Sequence, residues 1–177
     1  LRGIKQLGTA YLVYPGAVHT RFDHLIGALH VTGKVIDSVN KNAELDPSGC
    51  LAIGEGEARI IRLAALIHDI THIPFGHSIE DQDGIFPRHD SDYRFRRALD
   101  KTTELGQVLD GLGVREDVLS CLLPEGAEGR RDLPAYWTQV FAGTVASDIL
   151  DYLARDAYFT GLQFSVDSRV TSYFKID

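Results

Sequence analysis

The sequence predicts a helical protein, and three observations favour that class. Apolar residues recur at three- and four-residue spacing over long stretches, which places them on one face of a helix. Segments rich in Gly, Pro, Asp and Ser separate these stretches. With 177 residues, 44% of them hydrophobic, the chain can bury the core of a domain. We expect one domain over residues 1–177, and because the sequence contains no methionine we expect it to be part of a longer protein.

The first helix is predicted over residues 20–39. Its buried face would carry seven apolar side chains: Phe22, Leu25, Ile26, Leu29, Val35, Ile36 and Val39. Thr20 and Asp23 have the spacing of a capping box, with a carboxylate in the place usually taken by Glu or Gln. This start puts His24 in the first turn of the helix.

A second helix is predicted over residues 57–70, after a Gly-, Asp-, Pro- and Ser-rich loop at residues 40–56. Pro74 prevents a simple continuation of this helix because its ring and missing N–H disrupt the helical hydrogen bonds. Three less regular stretches follow, predicted as a loop, a partly helical segment and a polar loop: residues 79–89, 93–112 and 121–134.

The last helix is predicted over residues 136–159, with Gly161 as its stop signal. The tail over residues 163–177 alternates apolar and polar side chains, so we predict that it pairs as a short β-strand. The sequence contains no internal repeat and no low-complexity tract.

The charge and the cysteines exclude several classes of protein. A formal charge of −7, without a basic cluster, argues against an extensive nucleic-acid or anionic-membrane surface. Cys50 and Cys121 lie far apart in no zinc-type spacing, which favours a reducing compartment. No apolar run approaches the ~18 residues of a membrane span, and the start does not resemble a signal peptide. We therefore expect a cytoplasmic protein.

The stretch LAALIHDITHIPFGH, residues 63–77, carries the strongest chemical signal. On a helix His68 and His72 share a face, and Asp69 lies about 100° further round. Polar groups at the end of an apolar helix are costly to bury unpaired, so they need a partner or a metal ion. Imidazole and carboxylate suit Mn, Fe, Zn, Ni or Mg. The alternative is that His68 and Asp69 only hydrogen-bond each other and the loop.

Further ligands are expected from the first and last helices. His24 is a candidate because it lies in the first turn of an amphipathic helix. On the last helix Asp148, Tyr152 and Asp156 recur every fourth residue and share a face. Asp148 also has apolar neighbours, which makes a role in solvent less suitable. We expect Asp151, in contrast, to face solvent and to brace the helix by pairing with Arg155.

The pattern of His24, His68-Asp69 and Asp148 resembles the HD-domain metal-dependent phosphohydrolases. The chain is most similar to the branch of the deoxynucleoside triphosphate triphosphohydrolases, which includes bacterial enzymes and the SAM-and-HD-domain protein of animals. Four blocks follow the family order over most of the chain: IKQLGTAYLVYPGAVHTRFDHLIG, LAALIHDITHIPFGHSIED, RHD and SDILDYLARDAYFTGL. Asp23 stands where the family usually has Glu. The resemblance implies an all-α helical bundle with a metal site in its core.

The resemblance also implies a role for individual residues. Four match the metal ligands of the family: His24, His68, Asp69 and Asp148. Asp69 is expected to be catalytic as well, and the histidines expected to handle phosphate and assist ester cleavage are His72, His77 and His89. The residues expected to bind substrate, at a phosphate and around the sugar and its 3′-hydroxyl, are Arg21, Gln6, Leu7, Tyr152 and Asp156. His19 and His30 match no metal ligand, so a structural role is expected for both.

These roles imply a hydrolase in which a divalent metal activates water and neutralises phosphoryl charge. Positioned histidines would stabilise developing charge and protonate the leaving oxygen. The expected substrate is a deoxynucleoside triphosphate, the expected products are a deoxynucleoside and triphosphate, and self-association is expected. Two alternatives stay open. The substrate could be a nucleoside monophosphate or another phosphoester, although Gln6 favours the deoxynucleotide. The domain could instead be a non-catalytic nucleotide-binding or oligomer-forming module, which the intact ligand set disfavours.

Overall fold

The computed structural model describes residues 1–82, 85–167 and 169–177. The described residues form eight α-helices: α1 (Arg21–Leu45), α2 (Glu55–Ile67), α3 (His77–Glu80), α4 (Asp92–Ala98), α5 (Glu104–Gly111), α6 (Arg115–Leu122), α7 (Tyr136–Ala142) and α8 (Ser147–Thr160). Short 3-10 helices cover Ala10–Leu12 and Val170–Tyr173. No strand occurs in this part of the chain, which confirms the all-α prediction.

The core lies where α1, α2, α6 and α7 pack together. Val35 of α1, Ile61 of α2 and Val118 of α6 are completely buried in it, and Phe141 of α7 is almost so. α8 packs against α1. None of the described helices has both the length and the apolar character needed to cross a membrane.

Helix α1 begins as its sequence predicts. The Thr20 side chain accepts a hydrogen bond from the Asp23 N–H at 3.3 Å, and Asp23 Oδ2 accepts one from the Thr20 N–H at 2.8 Å. Both halves of the capping box are therefore present. The helix continues to Leu45, beyond the predicted end at residue 39, because Ala43 extends its buried face by one more turn.

The capping box leads to a first prediction. The Thr20→Ala variant should lose about 1 kcal/mol of unfolding free energy, because one N–H at the start of α1 loses its acceptor. Urea unfolding followed by circular dichroism measures this loss. Thr144→Ala, at an exposed position outside the helices, is the matched control and should change stability by less than about 0.5 kcal/mol. Equal stability of Thr20→Ala and the control would contradict the assigned cap.

The long predicted helix at residues 136–159 is wrong in its middle. It is two helices, because the backbone is extended at Gly143, where α7 ends, and α8 begins only at Ser147. Glycine is a poor helix former, so a periodic apolar pattern can run across a break that it permits. The break matters for the site because it places Asp148 in the first turn of α8. The stop at Gly161 is confirmed, with a left-handed φ of 75°.

The predicted strand in the tail is also wrong over its described residues. Phe174 and Ile176 pack against the core, and the Ile176 carbonyl accepts a hydrogen bond from the Leu51 N–H at 2.8 Å. Asn42 Nδ2 of α1 donates to the Phe174 carbonyl at 2.8 Å. The tail thus satisfies its backbone against α1 and a loop, without a partner strand. Residues 83 and 84 of the predicted 79–89 loop, and residue 168 of the predicted strand, lie outside the described part.

Smaller boundary differences occur elsewhere. α2 ends at Ile67, three residues before the predicted end, so His68 lies at its C-cap. His72 lies just after the turn that follows, and His77 begins α3. The predicted 93–112 segment consists of α4 and α5. The predicted 121–134 loop begins only after α6, and Cys121 is buried in that helix.

Candidate active site

Three elements bring the four predicted metal ligands together. The first turn of α1 supplies His24, the turn after α2 supplies His68 and Asp69, and the first turn of α8 supplies Asp148. His24 is completely buried and Asp69 is nearly so. The site therefore depends on two helix starts and one helix end, positions where side chains can converge without crossing the core.

His24, His68 and Asp148 form the tightest group. Asp148 Oδ1 lies 3.0 Å from His24 Nε2 and 3.3 Å from His68 Nε2. One ligand atom from each residue lies within 4.8 Å of the others, close enough to hold a metal ion. Both Nε2 atoms are buried and have no hydrogen-bond partner among the described residues. Buried polar atoms are normally satisfied, so these three residues fit a divalent metal.

The other nitrogen of each ring is already held. His24 Nδ1 donates to Asp151 Oδ2 at 2.9 Å, and His68 Nδ1 donates to the Ala65 carbonyl at 2.8 Å. These bonds direct the lone pair of each Nε2 toward Asp148, as metal-binding histidines require. Asp151 is itself held by Arg155, whose Nε and Nη2 lie 2.9 Å and 2.8 Å from its oxygens.

The expectation that Asp151 faces solvent is wrong, although its pairing with Arg155 is confirmed. Asp151 is only 7% exposed because it lies against α1 at Gly27. A Cβ at Gly27 would come within 1.8 Å of Asp151 Oδ1 and 2.2 Å of Arg155 Nη2. The missing side chain of Gly27 therefore makes the room in which Asp151 reaches His24.

This close approach gives a second prediction. Gly27→Ala should weaken metal binding about 10- to 100-fold, because Asp151 must rotate away and release His24 Nδ1. Isothermal titration calorimetry with Mn²⁺ measures the change. Gly33→Ala on the same helix is the matched control, since nothing lies within 4 Å of its added Cβ. Alanine favours a helix at both positions, so unchanged affinity in Gly27→Ala would contradict the role given to Asp151.

Asp69, the fourth predicted ligand, lies between two groups of histidines. Its Oδ2 accepts a hydrogen bond from Arg21 Nη1 at 2.6 Å and lies 3.9 Å from His24 Nε2. Its Oδ1 lies 3.6 Å from His68 Nε2 and 3.4 Å from His72 Nε2. Burial would raise the pKa of Asp69, but hydrogen bonding to His72 and the charges of His68, His72 and Arg21 hold it well below its usual value. Asp69 is thus an anionic centre shared by both groups.

The charges around His24, His68 and Asp148 favour a bound cation. Burial would lower the pKa of His24, but Asp148 and Asp151 raise it to about 9. Burial likewise opposes ionisation of Asp148, yet His24 and His68 lower the pKa of that carboxyl to about 2. His24 is therefore protonated in the metal-free site at neutral pH, and a metal ion must displace that proton.

The second group consists of His72, His77 and His89, whose ring nitrogens lie within 4.8 Å of one another. His72 is buried and stacks on His89 with ring centroids 3.6 Å apart, and exposed His77 meets both rings edge-on. Burial lowers the pKa of His72. Thr71 donates a hydrogen bond from its hydroxyl to the His89 carbonyl, which helps fix this loop residue.

Glu80 is a site residue that sequence reasoning missed. Its side chain is fully buried, and Oε2 accepts hydrogen bonds from His89 Nδ1 at 2.8 Å and from the His89 N–H at 3.3 Å. Arg94 Nη1 donates to Oε1 at 3.4 Å. Burial would raise the pKa of Glu80, but its bond to His89 lowers it. One feature of the sequence could have indicated Glu80. It lies one helical turn after His77, in the same sequence block that contains the predicted ligands His68 and Asp69.

One cavity of about 340 Å³ connects these groups. Every predicted catalytic and substrate-binding residue borders it, including Gln6 and Leu7 from the N-terminal segment and Tyr152 and Asp156 from α8. A larger cavity of about 660 Å³ borders His68 and Asp148 from the side of α6 and α7. The structure thus brings together residues from both ends of the chain around a single polar space.

A helical bundle with this histidine-and-carboxylate site defines a metal-binding domain of the phosphohydrolase type. The model of the HD domain matches residues 21–120, and the chain belongs to that family. HD domains bind divalent metal ions, and the groups described above could hold one. The predicted divalent-metal cofactor is therefore confirmed, as is the resemblance to this family.

Relatives of this chain are longer proteins. The uncharacterised protein YwfO of Bacillus subtilis is 35% identical over 93% of this chain and 34% of its own length. The deoxynucleoside triphosphate triphosphohydrolase SAMHD1 homolog of Dictyostelium discoideum is 33% identical over 99% of this chain and 34% of its own length. A phosphohydrolase structure from Bacteroides thetaiotaomicron has a TM-score of 0.74 at 27% identity, over 97% of this chain and 39% of its own. The chain spans about a third of these relatives.

Proposed function

We propose that this chain is the catalytic domain of a metal-dependent hydrolase that cleaves deoxynucleoside triphosphates into a deoxynucleoside and inorganic triphosphate. One observation carries the proposal. A single cavity is bordered by Asp148, by the second histidine group and, at one end, by Gln6 and Asp156. The similarity to a SAMHD1 homolog named as a deoxynucleoside triphosphate triphosphohydrolase supports this substrate class.

His24, His68, Asp69 and Asp148 would hold the metal ion in this proposal. When bound, a divalent metal supplies Lewis-acid chemistry, neutralising phosphoryl charge and making water a better nucleophile. The protein's own contribution is orientation. Asp151 and the Ala65 carbonyl hold the two imidazoles so that each presents Nε2 to the site.

The phosphates would lie along Arg21 and the second histidine group. Arg21 is fixed by its bond to Asp69, so its remaining guanidinium N–H groups can donate to phosphoryl oxygens without a reorganisation cost. His77 is exposed to the cavity and can donate in the same way. His89 donates its Nδ1–H to Glu80, which leaves Nε2 to carry a proton to the leaving oxygen.

The sugar would lie at the other end of the cavity. Asp156 borders this end, and its carboxylate can accept the single proton of a 3′-hydroxyl. Gln6 borders it too, and its side-chain amide, whose Oε1 is buried without a hydrogen-bond partner among the described residues, can donate through its NH2 group to the hydroxyl oxygen. Leu7 is apolar and offers no partner to a 2′-hydroxyl, which favours a deoxyribose over a ribose. This arrangement supports the deoxynucleotide over a general phosphoester.

The test combines elemental analysis of the purified protein with a product assay on the four deoxynucleoside triphosphates in added Mn²⁺. Near-stoichiometric metal together with release of intact triphosphate is the expected result. Metal without turnover of these substrates would overturn the proposed substrate and favour another phosphoester, such as a nucleoside monophosphate. Absence of metal under every loading condition would favour a non-catalytic module.

Self-association and a cytoplasmic location belong to the same proposal. The segment before α1 exposes large apolar side chains, with Leu12 71% and Val13 75% exposed, which supports burial against another chain. Light scattering at working concentration tests self-association, and a monomer would contradict it.

A further inference from the structure

His19 lies directly before the cap of α1, and its side chain is completely buried. Its Nε2 donates a hydrogen bond to Asp156 Oδ1 of α8 at 2.7 Å. The imidazole stacks on Phe159, with ring centroids 4.6 Å apart and an angle of 21° between the planes. The stacking fixes the plane of the ring, and the hydrogen bond joins that fixed ring to Asp156.

The backbone of His19 connects it to the opposite wall of the cavity. Its carbonyl accepts a hydrogen bond from the Gln6 N–H at 3.1 Å. Lys5 and Thr20 form an antiparallel bridge beside this bond, and the Arg21 N–H donates to the Ile4 carbonyl at 2.9 Å. The N-terminal segment is therefore attached to the residues around His19, and Gln6 is held at a defined distance from α8.

Asp156 needs such support because its side chain is 23% exposed. A carboxylate without a partner at that position would rotate, and ligand binding would be weakened by the entropy lost when the carboxylate is ordered. With Oδ1 held by a buried imidazole, Oδ2 is left for a hydroxyl donor in a fixed direction. His19 thus orients through its ring the carboxylate that accepts the hydroxyl proton, and holds the backbone of Gln6 through its own carbonyl.

We propose that His19 is a positioning residue that sets recognition of the sugar 3′-hydroxyl by holding Asp156 and Gln6 at opposite sides of it. The inference rests on the proposed function, since it assigns this end of the cavity to a deoxyribose. It replaces the purely structural role expected for His19 from sequence. It also makes the substrate class narrower, because a nucleotide lacking the 3′-hydroxyl would gain nothing from this arrangement.

The test compares the wild type with His19→Phe and His19→Gln. Phenylalanine keeps a ring that can stack on Phe159 but removes the donor to Asp156, whereas glutamine keeps a donor near the position of Nε2. For each protein we would measure kcat/KM for a deoxynucleoside triphosphate and the inhibition constant of the matching 2′,3′-dideoxynucleoside triphosphate. Thermal unfolding by circular dichroism establishes that each variant is folded.

His19→Phe is expected to lower kcat/KM for the deoxynucleotide about tenfold, with little change in the inhibition constant of the dideoxy compound. His19→Gln should recover most of the loss. Equal weakening of both nucleotides would show a general structural role and overturn the inference, as would no weakening of either. Should His19→Phe fail to fold, His19→Asn, whose amide is too short to reach Asp156, gives the same comparison.

The wild type separates this inference from the proposed function. A wild-type protein that releases no triphosphate from any deoxynucleotide overturns the proposed function, and the inference falls with it. A wild-type protein that turns over, beside a His19→Phe variant with unchanged preference for the 3′-hydroxyl, overturns the inference alone.

Discussion

The Asp148→Asn variant is expected to lose its bound metal and about three orders of magnitude in kcat. Asp148 Oδ1 lies close to both His24 Nε2 and His68 Nε2, at 3.0 and 3.3 Å. Asparagine has the same shape, so the change removes the negative charge and little else. Two neutral imidazoles and Asp69 would then be left to hold a divalent cation. Metal content by elemental analysis and triphosphate release at saturating substrate measure the two effects.

Asp132→Asn is the matched control, since it makes the same chemical change at an exposed position in the loop before α7. It should leave both metal content and activity unchanged. An Asp148→Asn protein that keeps stoichiometric metal would place the metal elsewhere. The second histidine group would then be the next place to look, because its three ring nitrogens also lie within 4.8 Å of one another.

The long amphipathic helices were predictable from sequence because the period of 3.6 residues leaves a clear apolar pattern. α1 and α2 were predicted on this basis, and the capping residues Thr20 and Asp23 fixed the start of α1. The break between α7 and α8 was not predictable in the same way. Apolar residues continue on both sides of Gly143, and only the packed structure decides that the backbone becomes extended there.

The site was predictable where its residues had unusual neighbours. His68 and Asp69 end an apolar helix, so their polarity demanded an explanation from the sequence alone. Asp151 did not stand out, because an aspartate four residues before an arginine is the ordinary pattern of an exposed helix surface. Its burial depends on Gly27, which lies more than a hundred residues away in the sequence. Space that a distant residue provides leaves no pattern in the sequence around Asp151.

The same limit applies to residues that support the histidines. Glu80 lies in a helix of four residues that local periodicity cannot detect, and its partner His89 is in a loop. His19 was expected to be structural because it matches no metal ligand, and its contact with Asp156 of α8, far along the chain, leaves no local pattern. The local sequence pattern therefore points to the predicted ligands and not to the contacts that orient them.

The Arg21→Ala variant should lower the unfolding free energy of the metal-free protein by about 3–5 kcal/mol. Arg21 is 4% exposed, and its Nη1 donates to buried Asp69 Oδ2 at 2.6 Å. Removal of the guanidinium leaves Asp69 Oδ2 buried without the charged donor that it accepts from. Urea unfolding in the presence of a chelator measures the loss, and Arg62→Ala, at an exposed position on α2, should lose less than about 0.5 kcal/mol.

Repeating the measurement with saturating Mn²⁺ makes this variant a test of Asp69 as a metal ligand, independently of any substrate. A carboxylate that has lost Arg21 gains more from a nearby cation than one that is already paired, so the stability difference from the wild type should shrink when metal is bound. A difference that stays the same with and without metal would mean that the ion does not compensate the charge of Asp69. In that case Asp69 would serve to hold Arg21 for the phosphates, and the metal would depend on His24, His68 and Asp148 alone.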